Sequence, residues 1–375
     1  MPRQFRNSFV RVGLAALLSS NVLAADDVPL QVRAYLDVGY VGSNRDPSDD
    51  NWQGKSSAAT LNQLELNEAM FNLSREANVG SRWGFEFGLQ AGDDSKRLVT
   101  SSPPAANEPI GNADDWRHLY RANVSYLFGT DGKVRLTTGL INSYIGYESY
   151  LSIDNPNYTR AYLSDTVPYF LFGGELRWDV SDSVDLGFYL VNGYNYLTDP
   201  NDIPSLGFSA GFSLSDNTKF IQNLYYGSDQ DNTDLEYWRF FSNSIVEWQR
   251  GPWRLAASLD YGTEKQADQP GQPRFQWTTG AVWLVWAANE RLSFAVRPEF
   301  HLDDDGLVTG GQQRLLGLTG TAKYQVLRGS QRLVGTLEAR HDRSSGDAGF
   351  ADEPDDVLRT TQTLVVLGIN WEFAG

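Results

Sequence analysis

Between Ser205 and Leu214 the chain alternates strictly. Leu206, Phe208, Ala210, Phe212 and Leu214 are apolar, and Ser205, Gly207, Ser209, Gly211 and Ser213 lie between them. A period of two sends the two sets to opposite faces of a β-strand. One face suits an apolar medium and the other suits water. Segments of about ten residues with this alternation are the units of a membrane-spanning β-barrel.

Sixteen such segments can be read along the chain. They lie at about 31–41, 64–75, 80–91, 116–128, 132–141, 169–180, 183–194, 205–214, 218–227, 237–249, 252–262, 274–287, 290–301, 313–326, 331–342 and 360–373, each to within ~2–4 residues. The tenth and twelfth have ambiguous faces, which leaves a count of about 14 to 18 open. Tight connections follow the even-numbered segments, as at Gly129-Thr130-Asp131, Ser181-Asp182, Ser215-Asp216-Asn217 and Arg250-Gly251. Longer ones follow the odd-numbered segments. Short periplasmic turns and long extracellular loops are the outer-membrane arrangement, and an even count puts both termini in the periplasm. The predicted fold is therefore all-β: a transmembrane antiparallel β-barrel of about 16 strands over residues 25–375. A soluble β-sandwich would have to bury one face of every strand and gives no reason for the loop asymmetry.

Energetics orients the strands. A lipid-facing Arg or Lys at the bilayer midplane costs roughly 2–4 kcal/mol. Arg117, Arg121 and Asn123 are therefore turned inward, and Trp116, Tyr120, Ala122, Val124, Tyr126 and Phe128 outward. Likewise Arg82, Glu86 and Gln90 point in, with Trp83, Phe85, Phe87 and Leu89 out; Val365, Leu367, Ile369, Trp371 and Phe373 also face out. Aromatic residues gather near strand ends, as interfacial girdles require. Trp83, Phe128, Trp178, Trp248, Trp253 and Trp371 fall toward one end, and Tyr40, Trp116, Tyr194, Tyr261 and Phe300 toward the other.

The first residues carry Arg3, Arg6 and Arg11, then an apolar stretch from Val12 to Leu18 and short side chains at Val22 and Ala24. That is the pattern of a signal peptide over 1–24, and the stretch is well short of the roughly 20 residues a spanning helix needs. Losing three Arg would take the formal charge from -16 to -19. Nucleic acid is excluded as a partner, because phosphate contacts need clustered Lys and Arg. The chain has no Cys, hence no disulfide framework. It is hydrophilic on average, yet a barrel needs only every second wall residue to be apolar.

The connection from Asn142 to Pro168 is long and rich in Tyr and charge, with Tyr144, Tyr147, Glu148, Tyr150, Asp154, Tyr158, Arg160 and Asp165. Connections of that length are functional or disordered, and the aromatic content argues for order. The expectation is a loop folded into the lumen as a constriction, with Tyr147, Glu148, Asp154, Tyr158, Arg160 and Asp165 as its candidate residues. An extracellular cap that never enters the lumen is the alternative.

The same region carries a family resemblance. The run from Gly139 to Glu148 (Gly-Leu-Ile-Asn-Ser-Tyr-Ile-Gly-Tyr-Glu), then Asn155-Pro156-Asn157-Tyr158-Thr159-Arg160-Ala161-Tyr162-Leu163, Pro168 and Gly173, resembles the signature of the putative β-barrel porin-2, OmpL-like family. That family often shows a His shortly after this Pro, where this chain has Tyr169-Phe170-Leu171-Phe172. The resemblance implies an outer-membrane channel. It assigns no residue roles.

Inward Arg33, Arg82, Arg117, Arg121 and Arg135 lie on the first five strands, and Glu148, Asp154 and Asp165 on the loop. Opposed charges across a narrow opening would orient dipolar solutes; equally, they would simply solvate a polar lumen. Acidic clusters in the long loops, such as Asp303-Asp304-Asp305 and Asp352 with Glu353, Asp355 and Asp356, could hold divalent cations bridging to lipopolysaccharide. None completes a calcium-loop pattern, so a solvated surface is the simpler role. The three His, at 118, 301 and 341, form no catalytic spacing with Ser, and neither a catalytic residue nor a cofactor is expected. The mature length cannot supply both a plug and a 22-stranded wall. The expected function is a passive channel for small hydrophilic solutes and ions. A substrate-selective channel for sugars or aromatic compounds and a non-conducting structural barrel are the alternatives. Membrane lipid and lipopolysaccharide are the expected surroundings, and a homotrimer the expected assembly by analogy with sixteen-stranded porins.

Overall fold

The computed structural model describes residues 28–375 except 53–54, 56, 98–115, 347–348 and 354. The signal peptide expected over 1–24 lies outside the described residues. Sixteen antiparallel strands close into one barrel in sequence order, β1 pairing with both β2 and β16. The strands are β1 (Gln31–Ser43), β2 (Leu64–Arg75), β3 (Trp83–Ala91), β4 (Leu119–Phe128), β5 (Val134–Asn142), β6 (Phe170–Ser181), β7 (Val184–Val191) and β8 (Ser205–Ser215). They continue as β9 (Thr218–Ser228), β10 (Trp238–Arg250), β11 (Trp253–Lys265), β12 (Arg274–Ala287), β13 (Leu292–Asp303), β14 (Gln313–Leu327), β15 (Gln331–Gly346) and β16 (Thr361–Ala374). One short helix, α1 (Asp93–Arg97), follows β3.

The seam runs in register from Arg33 opposite Ala374 to Ser43 opposite Leu364. Closure leaves no strand edge, which a bilayer requires. Short connections such as 182–183, 216–217 and 251–252 sit at one end, and long ones such as 44–63, 92–118 and 143–169 at the other. The start of β1 and the end of β16 lie at the short-turn end.

The period-two pattern is realised on both faces. In β16, Val365, Leu367 and Ile369 are exposed on the outer wall, whereas Gln362, Asn370 and Glu372 are buried inside. At the short-turn end Trp253, Trp286 and Phe294 stack in a row, with centroids 6.0 and 5.8 Å apart.

Two face assignments change. Tyr120 does not face out: the β3–β4 ladder skips it, passing from Gly88–Arg121 to Leu89–Leu119. As the extra residue of a β-bulge it turns inward, where its ring lies 5.6 Å from that of Tyr150. Tyr194 belongs to no girdle. It is buried beneath the long loops with Tyr144, Tyr225 and Phe241.

The interior is not uniformly polar. Leu364 and Val366 point inward and pack with Val41, Trp52, Leu61 and Tyr158. The apolar core sits between the inner wall and the loops folded against it.

Candidate functional site

The connection 143–169 starts at the end of β5, crosses the barrel interior and returns to β6. Local side chains shape its turns. Asn155 accepts from the Ser149 amide at 2.6 Å and donates to the Ser149 carbonyl at 2.9 Å, pinching the 149–155 arch. The buried Arg160 guanidinium spans the arch from inside, donating to the Ser149 carbonyl at 3.2 Å and to that of Tyr150. It also lies over the rings of Tyr150 and Tyr169.

Two tyrosines pin this loop to widely separated parts of the wall. Tyr144 stacks on Tyr189 of β7 at 3.8 Å and donates to the Leu224 carbonyl of β9 at 2.7 Å. Tyr158 donates to Asp37 of β1 at 2.5 Å and accepts from Asn67 of β2 at 2.8 Å. Each ring sits where the wall lacks side chains. A Cβ on Gly207 would lie 2.2 Å from the Tyr144 hydroxyl, and Cβ atoms on Gly39 and Gly368 would lie 2.1 and 2.3 Å from Tyr158. Gly39 and Gly368 face each other across the β1–β16 seam. Only glycine permits such close approach.

Charge fastens the middle of the loop. The Glu148 side chain is fully buried. It accepts from Arg297 of β13 at 2.9 Å, from the Trp283 indole at 3.0 Å, from the Ala161 amide at 2.7 Å and from Ser164 at 2.6 Å. Glu338 of β15 accepts from the amides of Tyr158 and Thr159 at 2.7 and 3.1 Å. Asp154 pairs with Arg33 at 2.6 Å and Arg332 at 2.8 Å, and both arginines also pair with Glu372. Burial opposes its charge, yet the two arginines outweigh burial and hold the Asp154 carboxyl below the usual range.

A second layer closes over the first. Lys55, from the connection 44–63, reaches Asp165 at 2.5 Å and the carbonyls of Arg160 and Ala161 at 2.9 and 3.1 Å. Burial lowers its pKa against the pull of Asp165. Asp94 of α1 meets Arg160 at 3.4 Å and accepts from the Ala58 amide at 3.2 Å. Burial pushes the Asp94 carboxyl up to about 6 although Arg160 opposes it.

Of the residues anticipated from sequence, Asp154 meets the wall arginine Arg33 and the others meet partners elsewhere. Glu148, Tyr158, Arg160 and Asp165 are buried anchors; Tyr147 is half-buried, its ring 4.4 Å from that of Trp283. Of the five wall arginines, Arg33 meets a loop acid. Arg82 donates to the carbonyls of Leu127 and Gly129 at the short-turn end. Arg117 lies at the long-loop end, 3.4 Å from the Ser95 hydroxyl. Arg121 is buried with its guanidinium 4.1 Å above the Tyr120 ring. The loop acids are neutralised by Arg33 together with Arg297, Arg332 and Lys55, and the last three were not singled out by sequence reasoning. The lumen-facing glycines were the available signal, because a spanning strand gains nothing from Gly unless something packs there.

The acidic loop clusters are also partnered. Asp352 lies 3.1 Å from Arg45 and 3.3 Å from Arg359, Asp304 lies 2.8 Å from Arg314, and Asp303 accepts from the amides of Leu307, Val308 and Thr309. Among the described residues no three His, Asp or Glu side chains converge as metal ligands.

Among the described residues a cavity of about 280 Å³ lies against β2–β6. Its wall includes Arg75, Glu86, Asn123, Ser125, Thr137, Glu175 and Arg177. Along β5 the lining runs from Arg135 to Asn142, a rise of about 24 Å at ~3.4 Å per residue. At the ~35–45° tilt of such strands this is about 17–20 Å of depth, roughly two-thirds of the hydrocarbon thickness of about 30 Å.

Known proteins place this arrangement. The fold matches OmpT of Vibrio cholerae, an outer membrane protein, with a TM-score of 0.53 at 10% identity, covering 95% of this chain and 100% of that one. It also matches the anion-selective porin of Comamonas acidovorans, with a TM-score of 0.56 at 10% identity, covering 92% of this chain and 100% of that one. At such identities the likeness speaks for the fold alone. No curated protein sequence matches the chain. The family described as putative beta-barrel porin-2, OmpL-like, matches over residues 29–373. A closed sixteen-stranded barrel with an apolar outer wall and a loop docked across its interior is thus the form this sequence family takes here, and the chain belongs to the putative β-barrel porin-2, OmpL-like family of outer-membrane porins.

Proposed function

We propose that the protein is a passive channel for small hydrophilic solutes, and that they travel through the slot between the docked loop 143–169 and the wall of β2–β6. The observation that carries this reading is the polar cavity along β5, from Arg135 near the short-turn end to Asn142 at the long-loop end. The loop narrows the lumen by filling its other side, so its buried residues set the width of the slot without lining it. The short-turn end faces the periplasm and the long-loop end faces outward, the arrangement that short turns and long loops take in outer-membrane barrels. A homotrimer in lipid, the assembly of OmpT in its trimer form, fits an outer wall that is apolar all round.

Single-channel recording of refolded protein in a planar bilayer tests the path. Wild type should give stable steps. Thr137→Trp, which fills the slot at mid-height, should cut step size by at least about half, since conduction through a pore this narrow follows its lining residues. Steps indifferent to that substitution would move the path elsewhere. No steps from correctly folded wild type would favour a closed structural barrel, the reading that the fully buried Tyr158, Thr159 and Arg160 also suit.

A further inference from the structure

Six charged side chains line the slot, in equal numbers of each sign: Arg75, Arg135 and Arg177, with Glu76, Glu86 and Glu175. They are not equivalent. Arg177 is answered by Glu175 at 2.5 Å. Arg75 is tied down at the short-turn end, donating to the Ser81 hydroxyl at 3.0 Å and the Trp83 carbonyl at 2.9 Å. Glu76 is exposed in the turn that follows β2.

Two charges remain. Glu86 is oriented but not neutralised, accepting from the side-chain amides of Asn72 at 2.9 Å and Asn123 at 3.3 Å. Arg135 has neither a hydrogen bond nor an ion pair among the described residues, and its in-register neighbour on β6 is another cation, Arg177. An arrangement that holds a carboxylate in place with two amides and leaves a guanidinium unanswered on the same cavity wall is poised for a solute carrying both complementary charges.

The ladder fixes their spacing. Glu86 faces Asn123, and Asn123 faces Gly139. Arg135 lies four residues below Gly139 on β5. The two Cα atoms are thus about 14 Å apart along the strand direction and about 10 Å apart across two strands, at ~3.4 Å per residue and ~4.8 Å per strand. Once the two side chains have reached into the cavity, the gap suits a molecule a few bonds long. At the height of Glu86 the neighbouring positions on β5 and β6 are glycine, Gly139 facing Gly173, and the rung between the two charges carries the short side chains of Ser125 and Thr137, with Glu175, already paired with Arg177, beyond them.

We propose that this slot carries a binding station for small zwitterions, the solute carboxylate on Arg135 and its ammonium group on Glu86. The station rests on the reading of the slot as the diffusion path. Opposite charges set at different heights on one wall make a field along the slot that aligns a dipolar solute and raises its local concentration.

Initial uptake of labelled L-alanine, lactate and glycerol into proteoliposomes holding the full mature chain tests it. The readout is the ratio of alanine to glycerol flux, expected to be about fivefold in wild type, equivalent to roughly 1 kcal/mol. Arg135→Gln and Glu86→Gln should each bring that ratio to near unity; Glu86→Gln keeps the shape of the side chain and an acceptor for one of the two amides of Asn72 and Asn123. A wild-type ratio near unity while glycerol passes would overturn the station and leave the channel standing. Lactate as fast as alanine, and insensitive to Glu86→Gln, would overturn it in favour of a plain anion slot. Exclusion of glycerol as well would defeat the channel reading and the station together.

Discussion

At the residue scale, the interior works by satisfying buried charge. Arg297 shows how completely. It donates to Glu148, to the Thr159 carbonyl at 2.6 Å, to Glu299 at 3.2 Å and to Thr319 at 3.3 Å. A buried ion pair adds stability only when its remaining donors and acceptors are met, and here they are. Asp94 is the weak member. Its carboxyl titrates near 6 in the folded protein, against about 3.9 when unfolded. Because the folded value is raised, ionised Asp94 costs roughly 3 kcal/mol at neutral pH. That cost falls as pH drops through 6 and is gone below the unfolded value. Hydrogen exchange should therefore find the Ala58 amide, which Asp94 accepts, better protected at pH 5 than at pH 7. Asp94→Asn should flatten the difference; unchanged pH dependence in that variant would place the titrating group elsewhere.

At the scale of elements, loop 143–169 is held in shape by wall glycines as much as by charge. In Gly368→Ala the new Cβ would lie 2.3 Å from the Tyr158 ring. Overpacking of this kind costs about 1–3 kcal/mol, so the unfolding midpoint in detergent should fall. Gly320→Ala has nothing within 4 Å of its Cβ and should stay within about 0.5 kcal/mol of wild type. Equal midpoints for the two variants would mean that the seat is not strained. The strand boundaries were almost fully legible in the sequence, because lipid on one side forces every second residue to be apolar. The route of this loop was not. Its Tyr and charge content announced order, but which wall residues would receive Glu148, Asp154 and Asp165 depends on strands far away in sequence. Tyr120 shows the same limit: one bulge reverses the parity that its neighbours obey.

At the scale of the whole molecule, a barrel of net negative charge keeps a mixed-charge cavity along β2–β6, while its acids concentrate in the long loops. The absence of Cys makes orientation directly testable. Asp231→Cys, beyond β9 at the long-loop end, should react in intact cells with a maleimide that cannot cross the outer membrane. Asn217→Cys, in the turn between β8 and β9, should react only after the membrane is opened. The reverse pattern would invert the proposed orientation.

The sequence by itself determined a closed antiparallel barrel of about sixteen strands and the loop asymmetry, and its run from Gly139 to Gly173 carried the family resemblance. The barrel follows from a local constraint, the need to present alternate side chains to lipid and to water, which acts on every strand independently. Only the tertiary structure decided which part of the lumen is filled and which is left as a slot. Closing β1 on β16 brings Gly39 beside Gly368 and Arg33 beside Glu372, and folding the loop across the barrel brings Glu148 to Arg297. Contacts between residues more than a hundred positions apart leave no periodic trace in the chain, because they depend on the curvature and register of the whole wall.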